Sequence, residues 1–142
     1  MNKSTINQIN DFFKKNPIAK GTPSTHVEID SAELELNIKF DNDYKFFLLN
    51  YGGCMICEKE IYGFQNSELM GDDNVVDLTK AYRENEEGSL DWLIIGTDYS
   101  GNSIGINKEG NVIVFDQDFG ELNILAASFE DYLLQTLEDS KE

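Results

Sequence analysis

The stretch Trp92-Leu93-Ile94-Ile95-Gly96-Thr97-Asp98-Tyr99-Ser100-Gly101-Asn102 decides how this chain folds. Its first half is a short, continuous apolar run, the pattern of a strand buried on both faces. Its second half reads as a tight turn, because Gly-Asn tolerates positive φ. The same grammar repeats downstream. Segments 103–107 and 111–115 alternate like strands and are joined by a turn at Lys108-Glu109-Gly110. Asp116-Gln117-Asp118-Phe119-Gly120-Glu121 makes another turn, followed by a short strand over 122–126. Consecutive strands linked by such short turns form a meander.

Upstream the period is helical. Ser4 or Thr5 can cap a helix carrying Ile6, Ile9, Phe12 and Phe13, which Asn16-Pro17 ends. A connector with Gly and Pro leads to Thr25-His26-Val27-Glu28, a Thr-x-x-Glu capping box, with Ile29, Ala32 and Leu36 at helical spacing behind it. Asp41 caps a third helix whose apolar face holds Tyr44, Phe47, Leu48 and Tyr51, and Gly52-Gly53 stops it. A strand is predicted over about 54–63, then a polar loop with Asp72-Asp73 and a helix over about 75–84. Ser128 opens a last helix with Phe129, Leu133 and Leu137 inward. Helices segregated from consecutive strands imply an α+β fold: a mainly antiparallel sheet of about four to six strands packed with N-terminal helices and a C-terminal helix. One domain is expected over residues 1–142, with 1–24 a helical lead-in and 139–142 a frayed tail.

Charge narrows the function. With 27 Asp and Glu against 11 Lys and Arg the net charge is −16. Such a chain is repelled by phosphate backbones and by anionic lipid, so neither nucleic acid nor a membrane is expected as a direct partner. A 40% hydrophobic content with 11% aromatics argues against disorder. The start lacks the apolar run of a signal peptide, and no segment has the length of a membrane span, so a cytoplasmic location is expected. The load is uneven: residues 1–71 carry 7 basic and 10 acidic side chains, residues 72–142 carry 4 and 17. Two readings of that bias stand, solubility alone or attraction of a basic partner.

Chemistry-bearing arrangements are scarce. Cys54 and Cys57 form a lone CxxC on the predicted strand, where odd spacing sends the thiols to opposite faces, so they read as free structural cysteines. His26 is the only histidine and sits in the capping box. There is no Gly-x-Ser-x-Gly elbow, Walker loop or Gly-x-Gly-x-x-Gly motif, so no catalytic residue and no cofactor is assigned. Asp98, Ser100, Asn102 and Glu109 imitate part of a calcium-loop register, and Asp116, Asp118 and Glu121 form a second acidic cluster. The glycine such a loop needs is replaced by Ser103, and Ile104 and Ile106 alternate like a strand, so acidic hairpin turns are the better account. Tyr62, Tyr82, Trp92 and Tyr99 fall in or near the acidic half. Trp92 fits a core strand, whereas Tyr99 at a turn tip has no core to fill and is a candidate interface residue.

Several stretches together resemble the SMI/KNR, or SUKH, superfamily. Asp41-Asn42-Asp43-Tyr44-Lys45-Phe46-Phe47-Leu48-Leu49-Asn50-Tyr51-Gly52-Gly53 is similar to its "Pro-x-Asp-Tyr-Lys-x-Phe-Leu-x-x-Tyr-Asn-Gly-Gly" signature. Ile61-Tyr62-Gly63, Leu93-Ile94-Ile95-Gly96-Thr97-Asp98 with Gly101-Asn102, Asp116-Gln117-Asp118 with Glu121, and Ala127-Ser128-Phe129-Glu130-Asp131-Tyr132-Leu133 follow in the family's order. Phe40-Asp41 stands where Leu-Pro is usual, and Gln117 replaces a frequent His. The resemblance, over roughly residues 25–138, implies an α+β fold. For bacterial members it implies a cytosolic immunity protein that occludes a cognate toxin, often a nuclease; fungal members are instead regulatory scaffolds of cell-wall synthesis. On the immunity reading the basic toxin would meet Asp72, Asp73, Glu84, Glu86, Glu87, Asp98, Tyr99, Asp116, Asp118 and Glu121.

Overall fold

The computed structural model describes residues 1–85 and 91–141. Helix α1 (Lys3–Lys15) is capped by Asn2, whose side chain accepts the Ser4 N–H at 2.8 Å, so the predicted cap at Ser4 or Thr5 is corrected. Thr5 lies inside the helix instead, buried, and its hydroxyl donates to Glu130 Oε2 at 2.7 Å, tying the first helix to the last. A 3-10 turn at Pro17–Ala19 follows. Helix α2 (His26–Leu36) carries the complete Thr25/Glu28 capping box, and α3 (Asn42–Tyr51) is capped by Asp41 and ended by Gly52 at φ +74°. Tyr44, Phe47, Leu48 and Tyr51 are all buried, as their spacing predicts.

The strand predicted over 54–63 is a hairpin. Strands β1 (Cys54–Ile56) and β2 (Lys59–Ile61) pair antiparallel with Ile56 opposite Lys59, leaving Cys57-Glu58 as a two-residue loop. Cys57 takes φ +58°, a conformation that glycine or asparagine normally supplies, so the usual hairpin-turn residues are missing here. Cys54 and Cys57 therefore do not share a strand as predicted; both are free, Cys54 buried and Cys57 exposed at the loop. Helix α4 (Val75–Asn85) leads to β3 (Leu93–Thr97), β4 (Ser103–Ile106), β5 (Val112–Asp116) and β6 (Glu121–Ala126), and Ser128 caps α5 (Phe129–Asp139).

Strands β3-β4-β5-β6 form an antiparallel sheet in chain order. The β1–β2 hairpin is a separate pair leaning on the free edge of β3, where the Tyr62 N–H donates to the Ile95 carbonyl at 2.8 Å. Gly96 permits that approach: a Cβ there would lie 2.7 Å from the Glu60 carbonyl oxygen. On the inner face Leu93, Ile95, Ile104, Ile106, Val112 and Val114 meet the helices. Phe129 of α5 packs edge-on against Tyr44 and Phe47 at 5.3 and 5.6 Å, and burying each such ring is worth about 1.5–3 kcal/mol. On the outer face α4 covers β3, its Thr79 hydroxyl accepting the Ile94 N–H at 3.0 Å. Trp92 stacks on Tyr82 at 5.7 Å and is half-buried, preceding the strand it is predicted to begin. Among the described residues no helix is long and apolar enough to cross a membrane.

Candidate functional site

In an up-and-down meander alternate turns share one end of the sheet, so the β3–β4 turn (98–102) and the β5–β6 turn (117–120) are neighbours. Asn102 joins them. Its backbone N–H donates to Asp98 Oδ1 at 2.8 Å and its Oδ1 accepts the Gln117 N–H at 3.3 Å, with the side chain 7% exposed. Asp98 Oδ1 also accepts the Ser100 N–H at 2.9 Å, and Gly101 takes φ +82° to close the turn. Asp116 Oδ1 does the same for the next turn, accepting from Asp118 N at 3.0 Å and Phe119 N at 3.3 Å. The carboxylates that resemble a calcium register thus organise hairpin turns.

The β1–β2 loop reaches this same end. Tyr99 is 86% exposed, yet its hydroxyl donates to Glu58 Oε2 at 2.9 Å. That bond, and the charge of Glu58 beside it, raise the phenol above its usual range. Between the loop, the sheet end and α5 lies a pocket of about 330 Å³. Apolar Ile104, Val114, Leu125 and Tyr132 line it together with Glu58, Glu60, Asp98 and Tyr99. One cation, Lys59, lies in it, over the Tyr132 ring at 5.7 Å. Tyr62 donates to the Glu60 carboxylate. Burial first, then that bond and the charges of Glu60 and Asp73, push the Tyr62 phenol up.

The structure therefore collects Asp98, Tyr99, Asp116, Asp118 and Glu121 at one end of the sheet and adds Glu58 to them, while Glu60 lines the adjoining pocket and its carboxylate is held by Tyr62. Among the described residues, Asp98, Asp116, Asp118 and Glu121 form no ion pair. Asp116 and Glu121 stand directly opposite each other on β5 and β6, a like-charge pairing that costs stability. Asp72 and Asp73 are exposed in the loop before α4, with Asp73 near the Tyr62 hydroxyl. Glu84 is apart. Helix α4 runs against β3, with Thr79 at Ile94 and Tyr82 at Trp92, so its C-terminal turn lies toward the start of β3, away from Asp98. Glu86 and Glu87 lie outside the described residues. Of the four aromatics weighed from sequence, Tyr62 and Tyr82 are buried, Trp92 is half-buried and Tyr99 is exposed.

Glu58 and Glu60 escape the sequence reading because a straight strand puts them far from the sheet turns. The polar run Cys57-Glu58-Lys59-Glu60 was the available sign of a turn. Phe119, Leu122 and Ile124 escape it too, since apolar residues in or beside a strand are normally inward; they are 77%, 52% and 64% exposed. Among the described residues no group of three or more His, Cys, Asp or Glu is arranged to hold a metal ion.

A family model described as SMI1-KNR4 cell-wall, SUKH_5, matches residues 2–138. The chain belongs to this SUKH family. The match starts at residue 2 and so takes in α1, which supplies Ile9 and Phe13 to the core. A comparison with curated proteins gave no match. In this SUKH protein the family-like residues Asp41, Tyr44, Asp98, Gly101 and Asn102 have structural work: Asp41 caps α3, Tyr44 holds the hairpin, and the other three hold the paired turns. Asp118, Glu121 and Tyr99 are exposed at the same end of the sheet.

Proposed function

We propose that this SUKH-family protein is an immunity protein that binds a basic toxin domain, in the first instance a nuclease, with the acidic end of its sheet. One observation carries the reading: Asp98, Asp116, Asp118 and Glu121, without ion-pair partners among the described residues, are gathered from separate turns beside an exposed tyrosine. Held together at a sheet end they make a field that steers a cationic partner and matches the groove in which a nuclease holds phosphates. Inhibition follows by occlusion and asks for no catalytic group. Asp73, near the Tyr62 hydroxyl, and its exposed neighbour Asp72 are assigned to the same partner as a second acidic patch.

A basic toxin encoded by a neighbouring gene would support the reading, and co-expression with that toxin is the direct test. Growth rescue, with a complex surviving purification, supports the reading; a toxin that is neither bound nor neutralised refutes it. The family description's words "cell-wall" favour a second reading, a regulatory scaffold similar to fungal members. Affinity purification separates them, because one basic partner fits immunity and several housekeeping partners fit a scaffold.

A further inference from the structure

The two edges of the four-stranded sheet are treated differently. The outer edge of β3 is covered by the β1–β2 hairpin through Tyr62 and Ile95. Beyond its pairing with β5, no backbone hydrogen bond engages residues 121–126 among the described residues. Glu121-Leu122-Asn123-Ile124-Leu125-Ala126 contains neither the Lys nor the Pro that can block an open edge; its guards are the register shift at Leu125 and the inward Glu121, which leave residues 122–124 open between them.

That edge is also apolar on one face. Ile113 opposes Ile124 and Phe115 opposes Leu122, so these four share the outer face, opposite the core residues Val112 and Val114. Helix α4 covers that face over β3, whereas Leu122 and Ile124 are 52% and 64% exposed, with Phe119 at the adjoining turn. One step along the strand the pleat reverses. The Asp116–Glu121 pair points to the inner side, toward the end of the sheet where Asp98 and Glu58 lie.

We propose that β6 is a docking edge that pairs with an extended segment of the basic partner, in which apolar side chains alternate with Lys or Arg; this rests on the reading given above. Apolar residues would cover Leu122 and Ile124, main-chain bonds would continue the sheet, and cations on the other face would meet Asp116, Asp118 and Glu121. Charge selects this occupant over a second copy, because two copies would bring together chains of −16 each.

The test uses the full chain, ¹⁵N-labelled, with three capped synthetic peptides: four Val-Lys repeats, four Val-Glu repeats, and the Val-Lys sequence with a central proline. The Val-Lys peptide should slow exchange at those amides of residues 121–125 that point to the open edge rather than to β5, and the other two should not. Leu122→Lys with Ile124→Lys should weaken binding by about tenfold or more while leaving the melting temperature unchanged, because both positions are exposed. Absence of protection at 121–125 with millimolar Val-Lys peptide overturns the proposal, as does binding indifferent to the double variant. A free protein that sediments as a dimer with those amides already protected overturns it in favour of self-pairing. If the Val-Lys peptide shifts the Asp98 and Asp116 turns without protecting β6, strand pairing fails and the basic-partner reading stands. If Val-Lys and Val-Glu peptides bind alike, both fail.

Discussion

Replacing Tyr44 by Phe isolates a single buried hydrogen bond that joins α3 to the hairpin. The Tyr44 hydroxyl donates to the Tyr62 carbonyl at 2.5 Å, its ring is fully buried, and Tyr62 is 8% exposed. Phenylalanine keeps the ring and its packing on Phe40 and Phe129, so the variant opens no cavity larger than one oxygen. What it leaves is a buried carbonyl without its donor, a cost of about 1–3 kcal/mol. A loss of about 1.5 kcal/mol lowers the urea midpoint by about 0.5–1 M and the melting temperature by about 5 °C. The variant also has a signature in pH. Burial raises the Tyr44 phenol above its ordinary value, so its contribution is complete below the unfolded value of about 10 and is lost as pH rises through the folded value. Stability of the wild type should therefore fall more steeply above about pH 10 than that of Tyr44→Phe. Urea titrations at neutral and alkaline pH measure both effects. A variant within about 0.3 kcal/mol of wild type, with an unchanged alkaline slope, would show that this bond is not what holds the hairpin.

Three further outcomes follow from the same geometry. Asp118→Asn with Glu121→Gln should slow association with the cognate toxin several-fold at low salt, whereas Asp11→Asn with Glu68→Gln, exposed acids elsewhere, should not; stopped-flow rates that fall equally for both pairs count against a localised field. The Glu130 carboxyl is held below its ordinary value, chiefly by the Thr5 hydroxyl and also by the Asn2 N–H and the N-terminal charge. Its contribution is thus present above the unfolded value of about 4.3 and disappears as pH falls through the lower folded value, so the stability gap between wild type and Glu130→Gln should close in acid; a gap constant down to about pH 2 contradicts it. Burial pushes the Cys54 thiol up to about 12, while Cys57 is exposed at the hairpin loop. A thiol reagent at neutral pH should label Cys57 quickly and reach Cys54 only on unfolding, and equal labelling of both in the native protein would be inconsistent with the buried hairpin strand.

Local chemistry was enough to read most elements from the residues. The Thr25/Glu28 capping box, Asn16-Pro17, Gly52 and the Gly101-Asn102 turn act within a few residues of themselves, so their consequences are written where they stand. The apolar run 93–96 also declared its burial on both faces, because no other position tolerates so much hydrocarbon. The break at Cys57 was hidden: the residue adopts a left-handed conformation that its side chain does not advertise, and pairing between the arms enforces it. The helix start moved from Ser4 or Thr5 to Asn2 for a related reason, since Thr5 is used by the distant Glu130.

The sequence by itself determined the α+β class, the antiparallel meander, the family resemblance and the acidic surplus in residues 72–142, all properties of local period, composition or motif order. Tertiary structure decided which of those acids lie together. Asn102 set two turns side by side, the hairpin loop brought Glu58 to them, and the direction of α4 carried Glu84 away. It also decided that Leu122 and Ile124 face solvent on an open edge. Charge and hydrophobicity belong to residues, but a surface is a relation between residues distant in the chain, and only the packed fold supplies that distance.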